Sequence, residues 1–87
     1  MDDRIFNMIS EGILAQLNKK VQISRKLKLK EDLGLPSIKL IMLLTELTQK
    51  IGISIMDFND YELLRIKTVG DLEDLLTLKQ EGLYEND

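Results

Sequence analysis

Residues 31–38, which read Glu-Asp-Leu-Gly-Leu-Pro-Ser-Ile, constrain the fold more than any other stretch, because they end a loop and begin a helix. Gly34 tolerates backbone angles that other residues avoid, and Pro36 fixes its own φ and holds Leu35 extended. Ser37 is a favoured N-cap residue and stands directly before a long apolar run. We therefore predict that a helix begins at Ser37.

This helix has apolar residues on two faces. One face has the spacing of a helix stripe that packs on a core, and Gly52 supplies a C-terminal stop. The other face is apolar where a surface helix would normally carry charge, so it predicts a second partner. The core stripe is Leu40, Leu43, Leu44, Leu47 and Ile51, and the opposite face is Ile38, Ile41, Met42 and Thr45.

The composition of the 87 residues predicts one small all-α domain without catalytic chemistry. Aromatic residues are few, and cysteine and histidine are absent, which excludes disulfides, thiolate metal sites and the commonest general base. The acidic start is not expected to be a secretion signal, and no apolar run is long enough for a membrane span. We expect a cytoplasmic monomer that is not an enzyme.

Three further helices are predicted. Asp2 or Asp3 is predicted to cap the first helix, which ends near Asn18. This helix contains Gly12, which marks either a close approach to a neighbouring helix or nothing at all. A short third helix lies within residues 57–65, with Tyr61 half-buried. Thr68 caps the last helix, with Asp71 completing a capping box. Their core residues are predicted to be Ile5, Ile9, Ile13 and Leu17 with Met8 and Leu14 beside them, then Phe58, Tyr61, Leu63 and Leu64, then Val69, Leu72, Leu75, Leu76 and Leu78.

The connection before Pro36 is long and basic. It is interpreted as a loop that packs Val21, Ile23, Leu27 and Leu29 while its charges stay in water. A phosphate- or nucleic-acid-binding patch is the alternative, disfavoured because no aromatic residue is interleaved and the net charge of the chain is −3. The basic residues are Lys19, Lys20, Arg25, Lys26, Lys28 and Lys30.

Paired carboxylates occur one helical turn apart and could share a proton or hold a metal. Capping and the helix dipole explain them better, since no calcium-loop pattern is present. Ser37 has no histidine to activate it as a nucleophile. Neither a catalytic nor a metal site is therefore predicted; the carboxylate pairs are Asp57 with Asp60 and Asp71 with Asp74.

The run from Asp32 to Ile38 resembles the Asp-Leu-Gly-x-Asp-Ser-Leu signature of the acyl carrier protein family. Residues 66–72 resemble the Thr-Val-x-x-Leu start of that family's last helix, so the resemblance covers most of the chain. It implies a four-helix carrier-protein bundle over residues 1–80, with a short third helix, a long loop between helices one and two, and a flexible tail over residues 81–87.

The resemblance also implies that Ser37 carries a 4′-phosphopantetheine arm, whose thiol holds an acyl or aminoacyl intermediate as a thioester. The implied partners are a phosphopantetheinyl transferase, an acyl- or aminoacyl-loading enzyme, and a synthase or transferase that uses the cargo in fatty acid, polyketide or nonribosomal peptide biosynthesis. These partners would dock beside Ser37 on Ile38, Lys39, Ile41, Met42 and Thr45.

Two departures from the family pattern keep alternatives open. Pro36 replaces the aspartate that usually precedes the serine, and the second helix is less acidic than is usual in the family. One alternative is an interaction module that keeps the carrier fold without being modified. The other is a small helical nucleic-acid binder that uses the basic loop.

Overall fold

The computed structural model describes residues 3–18 and 20–85, with side chains as far as residue 82. The elements are α1 (Arg4–Leu17), α2 (Ser37–Ile51), a 3₁₀ turn (Ile55–Asp57), α3 (Asp60–Leu64) and α4 (Val69–Glu85). The described residues contain no strand, only an isolated antiparallel bridge between Lys28 and Thr68. The predicted all-α class is therefore confirmed for this part of the chain. No helix within it is long and apolar enough to cross a membrane.

The first two helices approach closely at Gly12. This glycine is buried, and a Cβ atom at its position would lie 2.6 Å from Cδ1 of Leu43 on α2. Of the two interpretations of Gly12, close helix approach is confirmed. The predicted end of α1 is also confirmed, because Asn18 adopts a left-handed conformation and its N–H donates to the Leu14 carbonyl at 3.0 Å.

The second helix has the predicted core stripe and the predicted end. Leu43, Leu44 and Leu47 are buried, and Gly52 ends the helix with φ 80°. The prediction that Ser37 is the N-cap is wrong by one residue, since Pro36 occupies that position in extended conformation and Ser37 is the first helical residue. The proline ring fixes φ at −69°, and its carbonyl accepts the first helical bond from Leu40 N at 3.0 Å.

The loop between α1 and α2 is fastened to the start of α4 by backbone hydrogen bonds. Leu29 N donates to Lys67 O at 2.9 Å, and Val69 N donates to Leu27 O at 3.0 Å. The prediction of a packed loop with solvated lysines is confirmed, except for Lys19, which lies outside the described residues. Burial is confirmed for Leu29, whereas Val21, Ile23 and Leu27 are only half-buried. Two further loop residues that were not predicted, Leu33 and Leu35, are also buried.

The start of α4 confirms the predicted capping box. Asp71 N donates to Thr68 Oγ1 at 3.0 Å, and Thr68 N donates to Asp71 Oδ2 at 3.1 Å. The helix continues to Glu85, so residues 81–85 of the predicted tail are helical, while residues 86–87 lie outside the described residues. Its buried side chains are Val69, Leu72 and Leu76, and Leu75 is half-buried.

Three predicted core residues are instead exposed. Tyr61 is 81% exposed and Leu64 is 75% exposed, because α3 has only five residues and Phe58 and Ile66 on either side of it contact the core. Leu78 is 62% exposed, since it follows Leu76 by two residues and projects from nearly the opposite side of α4. The predictions that Tyr61, Leu64 and Leu78 pack in the core are therefore wrong.

Candidate functional site

Ser37 is an exposed residue at the first position of α2, and its hydroxyl is available to solvent. Within the described part of the chain its Oγ makes no hydrogen bond, and it does not cap the helix. Ser54 behaves differently, because its Oγ accepts a bond from Met56 N at 3.1 Å and caps the 3₁₀ turn. The Ser37 hydroxyl is thus free to react, whereas the Ser54 hydroxyl is used structurally.

The backbone around Ser37 favours a negative charge. The first helical hydrogen bond runs from Leu40 N to Pro36 O, so the N–H groups of Ser37, Ile38 and Lys39 all precede it. No acidic residue lies in the first turn of α2. The positive end of the helix dipole is therefore not neutralised locally, and an anion attached at Ser37 would be stabilised there.

A shallow cleft of about 370 Å³ lies beside the serine. Its shape is fixed by the preceding turn, in which Gly34 has φ 66° and Leu35 N donates to Leu29 O at 3.0 Å. Leu35 is buried and anchors this turn in the core. The cleft therefore has a defined wall on the loop side; it is lined by Lys30, Gly34, Leu35, Pro36 and Ser37.

The predicted docking face of α2 is exposed next to Ser37. Ile38 is 64% exposed, and Ile41 and Met42 are each 54% exposed. Thr45 differs from them, because it is half-buried and its hydroxyl donates to Ile41 O at 2.9 Å. Three of the five predicted docking residues therefore form an exposed apolar surface that begins one residue after the serine.

Lys39 is directed toward α1. Its Nζ donates to the Gln16 carbonyl at 3.4 Å, at the C-terminal end of α1, where the helix dipole favours a cation. This contact joins the first two helices at the surface. The lysine that lines a cleft together with Ser37 is Lys30, which the sequence placed only within the general basic run.

The segment from 54 to 64 exposes large side chains that sequence reasoning missed. Met56 is 86% exposed, in addition to Tyr61 and Leu64. Two successive capping boxes, Ser54 with Asp57 and Asn59 with Glu62, divide this segment into two very short helices. The Ser-x-x-Asp and Asn-x-x-Glu spacings were the available signal for this interruption.

Three of the four paired carboxylates, those of Asp57, Asp71 and Asp74, have structural partners. Asp57 belongs to a capping box, and Asp71 accepts bonds from the backbone of Lys67 and Thr68. Partial burial alone would raise the pKa of Asp71, but these N–H donors outweigh it and lower the pKa. Asp74 instead forms an ion pair with Arg25 at 3.0 Å. Capping is therefore confirmed for Asp57 and Asp71.

Ion pairs connect α4 to the loop before α2 and to α3. Arg25 of the loop contacts Glu73 as well as Asp74, and its pKa is raised by the hydrogen bonds to Asp74 and Glu73. Lys79 contacts Glu62 at 2.8 Å, and this bond lowers the pKa of Glu62. Within the described residues no group of three or more carboxylates is arranged to hold a metal ion.

Comparison with known proteins adds no assignment: no family model matches the chain, and no curated protein matches it in sequence. The structure brings Ser37 together with the apolar face of α2 and with Lys30. It assigns Lys39 and Thr45 to contacts within the chain. The exposed serine, the apolar face and Lys30 therefore form the candidate site.

Proposed function

We propose that this chain is a stand-alone carrier protein that holds an acyl or aminoacyl intermediate as a thioester on a 4′-phosphopantetheine arm at Ser37. The observation that carries the proposal is the exposed Ser37 hydroxyl, free of intramolecular hydrogen bonds within the described residues, at the first position of α2. The resemblance of residues 32–38 to the acyl carrier signature supplies the chemical identity of the arm.

The local electrostatics suit this modification. Attachment converts the hydroxyl into a phosphodiester with one negative charge, placed beside the unbonded N–H groups of Ser37, Ile38 and Lys39. An anion at a helix N-terminus is typically stabilised by about 0.3–1 kcal/mol. Lys30, across the adjacent cleft, adds a positive charge on the loop side. The modified state is therefore favoured by groups that already surround Ser37.

Function would then follow from tethering. A covalent arm keeps the intermediate near each partner enzyme, which raises its effective concentration without any new contact. The exposed surface of Ile38, Ile41 and Met42 provides the docking surface for a phosphopantetheinyl transferase, a loading enzyme and a cargo-using synthase or transferase. These partners are expected to dock in turn.

The test is the intact mass of the purified chain after incubation with coenzyme A and a broad-specificity phosphopantetheinyl transferase. The parent and Ser10→Ala should gain one phosphopantetheine, whereas Ser37→Ala should gain none. Ser10 is a suitable control because it is a second helical serine, located on α1. Loss of the gain in Ser10→Ala, or its persistence in Ser37→Ala, would contradict attachment at Ser37.

Pro36 favours a second candidate, the unmodified interaction module. It occupies the N-cap of α2, where the family pattern has an aspartate, and so provides no carboxylate for a transferase to use. Pro36→Asp separates the candidates. A mass gain of one phosphopantetheine seen only in Pro36→Asp would favour the unmodified module. The same mass gain in the parent would favour the carrier.

The docking surface has its own test in the rate of arm attachment. Ile41→Ser should lower the transferase kcat/KM, because it removes an exposed apolar side chain from the surface beside Ser37. Leu78→Ser is the matched control, since Leu78 is similarly exposed but lies on α4. Equal rates for the two variants would argue against docking on α2.

The nucleic-acid alternative has less support. Arg25 is engaged by Glu73 and Asp74, which reduces the positive charge that the loop offers to phosphate. That alternative predicts binding that weakens steeply with salt and on neutralisation of Lys26, Lys28 and Lys30. Electrophoretic mobility of short duplexes at two salt concentrations measures it.

A further inference from the structure

A second cleft, of about 350 Å³, lies between the loop and the link from α3 to α4. Its two sides are joined by the hydrogen bond from Leu29 N to Lys67 O at 2.9 Å. Leu29 and Ile66 are buried side chains that anchor the lining in the core. The cleft is therefore formed by fixed backbone segments; its lining is Lys28, Leu29, Lys30, Glu31, Leu64, Ile66 and Lys67.

The charges around this cleft are unbalanced. Three lysines, Lys28, Lys30 and Lys67, face a single carboxylate, that of Glu31. None of these lysines forms an ion pair within the described residues, whereas Lys50 and Lys79 both do. Lys67 is attracted by the Asp71 carboxylate without pairing with it, so Lys28 and Lys30 supply most of the unbalanced positive charge. Neighbouring like charges repel one another, so an anion held between them would be stabilised.

The remaining lining is apolar. Leu64 is 75% exposed and supplies the accessible apolar surface of the cleft, whereas Leu29 and Ile66 are buried behind it. A bare inorganic anion would leave this apolar surface uncovered. A carbon chain that ends in a carboxylate would cover the apolar side chains and pair with the lysines at the same time.

The cleft is also connected to the carrier site. Lys30 lines both this cleft and the shallow cleft that contains Ser37. The backbone bond from Leu35 N to Leu29 O holds the two clefts in a fixed relation. The two clefts therefore adjoin at Lys30, so a group attached through Ser37 is bound next to the cleft that Lys28 and Lys67 line.

We propose that this cleft binds the carboxylate end of a short dicarboxylic acyl group, and that the cargo of the arm is therefore anionic. The identification of the ligand as an acyl group rests on the proposed carrier function. Lys28 and Lys67 donate charge-assisted hydrogen bonds to the free carboxylate, and the exposed Leu64 side chain contacts the methylene chain.

The test uses the unmodified chain and two small thioesters of N-acetylcysteamine, one glutaryl and one pentanoyl. Both have five acyl carbons, and only the first has a free carboxylate. Amide chemical shifts are followed during titration, and the fingerprint spectrum of each variant reports whether it is folded. The glutaryl thioester should shift the amides of residues 28–31 and 64–67 saturably, with a dissociation constant at least about tenfold lower than that of the pentanoyl thioester.

Variants locate the interaction. The double variant Lys28→Gln, Lys67→Gln should weaken glutaryl binding at least about tenfold, the scale of lost charge-assisted bonds. Lys26→Gln is the matched control, since Lys26 is an exposed lysine of the same loop outside the cleft. This variant should bind the glutaryl thioester with a dissociation constant within about twofold of the parent value, because its charge is distant from the cleft and screened by salt.

Several results would overturn the inference: equal shifts from both thioesters, no saturable shift from either, or equal loss in Lys26→Gln and the double variant. Much tighter binding of a glutamate-rich peptide at the same amides would assign the cleft to an acidic protein partner instead. Because the titration needs no arm, it can fail while the mass of the transferase-treated chain still establishes a carrier. Conversely, saturable binding of the glutaryl thioester without a mass gain on the transferase-treated chain would support the cleft and contradict the carrier function.

Discussion

Gly12→Ala should destabilise the chain even though alanine is the better helix former. At an interior helix position this substitution normally gains about 1 kcal/mol. Here the new methyl would lie 2.6 Å from Cδ1 of Leu43, which is fully buried and has little room to move. Overpacking of this kind typically costs about 1–3 kcal/mol. The net expectation is a loss of about 1 kcal/mol in the free energy of unfolding.

Changing Leu43 should reverse the sign of the effect that Gly12→Ala has on the free energy of unfolding. Leu43→Val removes the terminal methyl that the new Cβ would meet, so in that background Gly12→Ala should stabilise by up to about 1 kcal/mol. The difference between backgrounds, about 2 kcal/mol, is a coupling energy typical of residues in direct contact. Urea unfolding followed by far-UV circular dichroism measures all four chains.

Gly82→Ala is the control for helix propensity alone. Gly82 lies in α4, and nothing would lie within 4 Å of a Cβ atom there, so this variant should stabilise slightly. Gly12→Ala could instead stabilise both the parent and the Leu43→Val chain, as Gly82→Ala is expected to do. That result would refute the claim that the close approach of α1 and α2 makes a larger residue at position 12 destabilising.

Three further variants test other contacts. Ser10→Ala should raise the free energy of unfolding by about 1 kcal/mol in urea, because the buried Ser10 hydroxyl has no hydrogen-bond partner in the described structure. Arg25→Gln should lower the thermal unfolding midpoint at low salt and have a smaller effect at high salt, since its ion pairs with α4 are partly exposed. Folding lowers the pKa of Asp71 below its ordinary value of 3.8. The stability that Asp71 contributes is therefore fully present above pH 3.8 and is lost as the pH falls through the lowered, folded-state pKa. Asp71→Asn should therefore be less stable at neutral pH and lose less stability on acidification, as measured by thermal unfolding at several pH values.

The longest patterned segments were predictable from sequence. In α2 the apolar residues repeat with the helical period over four turns, between Pro36 and Gly52. The position of this helix and its core stripe therefore follow directly from the sequence. The exact cap was not predictable, because Pro36 and Ser37 are both common at helix starts. Gly12 was identifiable as unusual, but only the packing of Leu43 against it decides between its two interpretations.

Short and long-range features escaped prediction for different reasons. A five-residue helix spans little more than one turn, so apolar spacing in α3 does not determine which side chains are buried, and Tyr61 was misplaced. Contacts distant in sequence leave no local pattern. Arg25 meets Asp74 across 49 positions, and Lys67 joins the loop lysines only because the loop pairs with the start of α4.

The candidate site divides in the same way. Ser37 and the exposed face of α2 were found from local sequence, since both depend on one helix and its start. The role of Lys39 was not predictable from local sequence, because its ammonium contacts the end of α1 rather than a group near Ser37. Lys30 became a site residue only through the fold of the turn that precedes α2.

The central claim is tested most directly by mass spectrometry of the chain isolated from its native host without added transferase. Fragmentation of the peptide that contains Ser37 should show a phosphopantetheine on that serine, together with any acyl group on its thiol. A carboxyl-bearing acyl group would also support the anionic cargo. A chain that is entirely unmodified at Ser37 under conditions of active growth would contradict the carrier function and make the unmodified interaction module the better account.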